Sequence, residues 1–119
     1  MRYQRDYETT ESYLDIVNCT RHNVNIMDGI GNVTKVIIPS GRVPRLRPKT
    51  ECVGSCNGVR LTRTKYGAAV GIPPEIPGVI YIVSAIIAKG LPNRKDFVIP
   101  NELVRDSGTV MGCKSLGFM

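Results

Sequence analysis

The segment Val79-Ile80-Tyr81-Ile82-Val83-Ser84-Ala85-Ile86-Ile87-Ala88, followed by Lys89-Gly90-Leu91-Pro92, decides how this chain is read. It holds the one long apolar run, and at ten residues with Ser84 inside it the run is too short to span a bilayer. Val79 to Val83 is the best candidate for a central strand. Ser84 then suits the N-cap of a short helix, Ala85 to Lys89, which Gly90 and Pro92 terminate. One strand continuing through Ile87 is the alternative; Ala85, Ala88 and the Gly90/Pro92 stop favour strand then helix.

Outward from this segment the pattern is β. Leu14 to Cys19 and Val24 to Met27 are short apolar-rich runs, and Asp28-Gly29 with Gly31-Asn32 marks a hairpin loop before Val33 to Ile38. Pro39-Ser40-Gly41 ends that strand. Arg42 to Lys49 alternates, placing Arg45, Arg47 and Lys49 on one face of a strand. Cys52 to Gly58 reads as a glycine-containing turn. Val59 to Tyr66 follows as a strand, with Val59, Leu61, Arg63 and Lys65 on one side and Arg60, Thr62 and Thr64 on the other. Gly71 to Gly78, carrying Pro73, Pro74 and Pro77, is a rigid loop. Phe97 to Ile99, Glu102 to Arg105 and, after an Asp106-Ser107-Gly108 turn, Thr109 to Lys114 complete the set. The expected fold is mainly β: a compact small barrel or bent antiparallel sheet of about seven or eight short strands with one short helix.

The 119 residues make one domain, with residues 1–13 as a polar, tyrosine-rich arm and 14–119 as the β-rich part. A hydrophobic content of 42% excludes global disorder. The opening residues have no apolar core segment and do not read as a signal peptide, so a cytosolic setting is expected. There Cys19, Cys52, Cys56 and Cys113 are expected as free thiols. The triplets Asn18-Cys19-Thr20 and Asn32-Val33-Thr34 then carry no meaning as glycosylation acceptors.

Charge is the strongest functional signal. Seven of the sixteen basic residues, Arg42, Arg45, Arg47, Lys49, Arg60, Arg63 and Lys65, fall in one window whose only acid is Glu51, and the whole chain carries a net +6. Such a field draws phosphate, nucleic acid or an acidic protein face. Five of the seven are arginines, which suits bidentate phosphate or carboxylate contacts. The plain alternative is a solvated face. Asn93, Arg94 and Arg105 form a second candidate group for a phosphate or ribose.

Other chemistry is weaker. Cys19-x2-His22 with Cys52-x3-Cys56 offers four soft ligands, but the first pair is no zinc knuckle and Cys113 is left over. His22, the only histidine, has no nucleophile or orienting carboxylate placed beside it. No catalytic set, metal site or cofactor is expected.

Several phrases occur in order: Ile16-Val17-Asn18-Cys19-Thr20-Arg21-His22, Ile38-Pro39-Ser40-Gly41, Ile80-Tyr81-Ile82-Val83-Ser84-Ala85, Leu91-Pro92-Asn93-Arg94-Lys95-Asp96, Ile99-Pro100-Asn101-Glu102-Leu103-Val104-Arg105-Asp106 and Gly112-Cys113-Lys114-Ser115-Leu116. From about Leu14 to Leu116 the chain resembles a family of small proteins encoded by phages and prophages, with Arg21 where that pattern expects proline. The family brings no functional residues with it. What it implies is context: a mobile-element protein in the cytoplasm of a bacterial host.

The expected function is a non-catalytic counter-defence binding protein. It would sequester a phosphate-bearing nucleotide, or block a host defence protein, through Arg45, Arg47, Arg63 and Lys65, with Asn93, Arg94 and Arg105 as the second group. A homo-oligomer is expected, because a small chain builds a deep pocket most readily between subunits. No membrane role is expected. A virion structural or assembly protein and a nucleic-acid-binding module are the alternatives.

Overall fold

A computed structural model describes residues 13–119, so the arm over 1–13 lies, Tyr13 apart, outside the described residues. Among the described residues eight strands and one helix follow in order: β1 (Asp15–Asn18), β2 (Val24–Met27), β3 (Val33–Ile37), β4 (Arg45–Cys56), β5 (Val59–Val70), β6 (Val79–Ile82), α1 (Ala85–Gly90), β7 (Phe97–Asp106) and β8 (Thr109–Phe118). The mainly β class with one short helix is therefore as the sequence predicts. Six strands form one sheet in the order β1-β6-β7-β8-β2-β3, while β4 and β5 pair only with each other.

The larger sheet is mixed rather than antiparallel. β6 lies parallel to both β1 and β7, and β2 parallel to β8, whereas β7–β8 and β2–β3 are antiparallel. Parallel neighbours need a crossover, and α1 supplies it between β6 and β7. Ser84 caps this helix as expected, its hydroxyl accepting the Ile87 N–H at 3.4 Å. Among the described residues no helix is long and apolar enough to cross a membrane.

Strict alternation divides the core between the two faces of β6. Tyr81 and Val83 join Phe97 and the α1 residues Ile87 and Ala88 on one face. Ile80 and Ile82 join Val24, Ile37, Val98 and Cys113 on the opposite face. With both faces covered, β6 reads as a continuous apolar run.

The sheet curls until its edge strands meet at a single bridge, Asn18 to Pro39, so the barrel stays open. Asn18, only 1% exposed, clasps that meeting point. Its Nδ2 donates to the carbonyls of His22 (2.8 Å) and Ile37 (2.9 Å), and its Oδ1 accepts from the Thr20 N–H (2.9 Å) and hydroxyl (2.7 Å). Its own carbonyl accepts the Ser40 N–H at 2.8 Å. The Asn-x-Thr-x-His phrase is thus a structural clasp.

The expected turn over Cys52 to Gly58 shrinks to Asn57-Gly58, both at positive φ, because β4 continues through Cys56. Gly54 marks a bulge inside the strand: the register shifts between Cys52 and Gly54. Twelve residues per strand give the β4–β5 ribbon a length of about 40 Å. The radius of gyration, 18.2 Å, exceeds the roughly 13–14 Å of a compact chain this long, as a projecting ribbon requires.

Replacing Asn18 by alanine removes the donors from the buried Ile37 carbonyl and the part-buried His22 carbonyl and should lower the unfolding free energy by about 1–3 kcal/mol. Urea denaturation checks this; a loss below about 1 kcal/mol would mean the clasp is incidental.

Candidate anion-binding ribbon

Every residue of β5, and every residue of β4 except Leu46, is exposed. Leu46 is half-buried, packing into the core beneath α1 and lying so close over Gly90 that a Cβ there would collide with it. Side chains alternate along a strand, so an inward Leu46 turns Arg45 and Arg47 outward.

Cross-strand pairing assembles the rest. Lys49 stands opposite Lys65, and Glu51 opposite Arg63. Directly opposed residues share a face. Arg45, Arg47, Lys49, Arg63 and Lys65 therefore form one outward cationic face, which brings together the four ribbon residues predicted from the sequence. Lys49, outside that candidate set although its parity signals it, belongs with them. Glu51 is the only acid on the ribbon, and its carboxylate lies 3.8 Å from the Lys65 Nζ. The opposite face is nearly uncharged: Thr50 and Thr64 contact each other through their hydroxyls at 3.1 Å, and Tyr66 faces Pro48. Arg60 is its one charge.

The second candidate group does not assemble. Asn93 and Arg94 precede β7, whereas Arg105 lies near its far end, about 26 Å along the strand from Phe97. Arg94 is already committed. Its guanidinium grips Asp96 with two bonds, Nε to Oδ1 at 2.9 Å and Nη2 to Oδ2 at 2.8 Å. It also lies 3.5 Å from Glu75 and 4.4 Å from the centroid of the Phe97 ring. Its side chain is only 14% exposed, and the bonds to Asp96 raise its already high pKa. This arginine ties the proline-rich loop to the start of β7.

Beside it opens a cavity of about 420 Å³, with Phe97 and Phe118 among its lining and Lys89 and Lys95 alongside them. Sequence reasoning missed both lysines, because only the α1–β7 crossover brings them to one opening.

The cysteines separate. Cys19 and Cys113 are buried in the body, and burial pushes both thiols up in pKa; Ser40 and Arg42 oppose this at Cys19. Cys52 and Cys56 are exposed on the ribbon, so the structure does not unite them with Cys19 and His22.

No protein-family model, curated protein or solved structure matches this chain.

Arg94→Ala should cost about 1–3 kcal/mol by leaving Asp96 half-buried without its partner. It should leave polyanion affinity unchanged; a loss of affinity with stability intact would instead make Arg94 a ligand contact.

Proposed function

We propose that this protein is a non-catalytic binding protein whose working surface is the outward face of the β4–β5 ribbon, and that its ligand is an extended polyanion, with nucleic acid as the first choice. The observation that carries this reading is five cations on one exposed face with a single acid among them. Lys49 directly opposite Lys65 is unfavourable in the free protein, and an anion between them relieves it. A two-stranded ribbon offers a rail rather than a concavity, which suits a phosphate backbone better than a single nucleotide.

The resemblance to small phage and prophage proteins gives the proposal a setting inside a bacterial cell, where such a surface would mask nucleic acid or compete for an acidic host partner. Its counter-defence role and an oligomeric state belong to this proposal too.

The test is fluorescence anisotropy with a labelled DNA duplex across a salt series. The observed association constant should fall with a log–log slope of about −4 for five phosphate contacts offset by Glu51. Replacing Arg45, Arg47, Arg63 and Lys65 by alanine should weaken low-salt binding about a hundredfold and flatten the slope towards about −1. Binding that ignores salt and these four residues would overturn the reading.

One observation supports a second reading, capture of a phosphate-bearing nucleotide: the cavity beside α1 combines aromatic walls with Lys89 and Lys95. Calorimetry with a mononucleotide should then show binding that Lys89→Ala with Lys95→Ala reduces at least about tenfold. Heat unchanged by that pair would remove this reading and leave the ribbon untouched.

A further inference from the structure

The same alternation that places Arg63 and Lys65 on the outward face of β5 places Leu61 and Val59 there too, closer to the tip. They are 45% and 61% exposed, and Val53, on the bulge of β4, is 48% exposed. One face therefore changes character along its length, cationic near the body and aliphatic towards the turn. The reversal at Asn57-Gly58 takes two residues, φ +50° and +80°, so the tip is no broader than the two strands. Strands lie about 4.8 Å apart, and two-stranded ribbons of that kind lie in the minor as well as the major groove of duplex DNA.

We propose, resting on the polyanion reading above, that the ribbon enters a groove of double-stranded nucleic acid tip first and bends it. Val59 and Leu61 press as an apolar wedge against the base steps, while Arg45, Arg47, Lys49, Arg63 and Lys65 hold the phosphates. Charge complementarity selects a phosphate-bearing occupant, and the aliphatic tip selects the duplex. A single strand would call for aromatic platforms on the cationic face, and the ribbon's only aromatic, Tyr66, belongs to the opposite face. Aliphatic side chains that unstack and kink a duplex are a recurrent device of groove-binding proteins, and the bend brings more cationic surface against phosphate. The bulge at Gly54 adds local twist beside the tip, as a ribbon that follows a helical groove needs.

The experiment uses the full chain and a DNA duplex of about 24 base pairs carrying a donor and an acceptor dye at its two ends, read by anisotropy for binding and by energy transfer for bending. The wild-type protein should raise the transfer efficiency about 1.5-fold or more at saturation. Val59→Thr with Leu61→Thr places a β-branched residue at both strand positions, touches no core contact and retains every cation. This variant should bind within about threefold of wild type and lose most of the transfer change. A saturated duplex with unchanged transfer, equal bending by the variant, or tighter binding to the matching single strand would each overturn the wedge while leaving the polyanion reading standing. Absence of duplex binding at low salt would overturn both.

Discussion

Asn18 is the only buried polar side chain among the described residues, and the curl of the larger sheet depends on it. β1 and β3 are the sheet's two edges, and along most of their length nothing pairs them. A buried carbonyl at such an edge costs free energy unless it finds a donor. The Asn18 amide supplies donors to Ile37 at the end of β3 and to His22 in the following turn, while its oxygen is satisfied by Thr20. Aspartate would bring an acceptor where donors are required, and leucine would fill the space but leave the carbonyls unpaired. The clasp also fixes Ser40, through the Asn18 carbonyl, and so sets where the chain leaves the body for β4.

The orientation of the cationic face follows from there. β4 begins at Arg45, and its second residue, Leu46, packs down beside Gly90 at the end of α1. α1 is held in turn by its Ser84 cap and by its own Ile87 and Ala88, which are buried against the core. A single inward leucine is enough to orient the ribbon, because side-chain alternation then turns its odd-numbered neighbours away from the body. Substituting Leu46 with a polar residue would therefore act on the cationic face without touching any cation. The ribbon itself gains little from burial. Two strands exposed on both faces are marginally stable alone, so its persistence rests on this anchor, on the tight Asn57-Gly58 reversal and on its own ladder.

Much of this was legible in the residues. Val79 to Val83 announces a strand covered on both faces, and Ser84 with Gly90 and Pro92 brackets the helix, because these signals are local. The outward face of β5 was readable from parity alone. Where distant segments decide the outcome, the sequence is silent. The parallel pairing of β1 with β6 joins segments some sixty residues apart, and no local pattern encodes it. Gly54 looks like a turn residue because glycine serves bulges and turns alike; only the partner strand distinguishes them. Arg94 looks like a free cation in sequence. Asp96, two residues on, could have signalled the pair, but Glu75 and the Phe97 ring become its neighbours only through the fold.

The contrast between Arg94 and the ribbon cations bears most directly on function. Around Arg94 the fold supplies a carboxylate pair and an aromatic face, so its charge is satisfied internally and its side chain is nearly covered. On the outward face of the ribbon five cations share one acid, and two lysines oppose each other across the ladder. Beyond them, Val59 and Leu61 remain in water. Neither feature serves stability, since neutralising a lysine or replacing an exposed aliphatic residue on this ribbon disturbs no core packing. Each is unfavourable in the free chain, and both lie on the same face of an element that contributes almost nothing to the core. The duplex proposed above, with its row of phosphates and the base faces that a kink exposes, would relieve the two together.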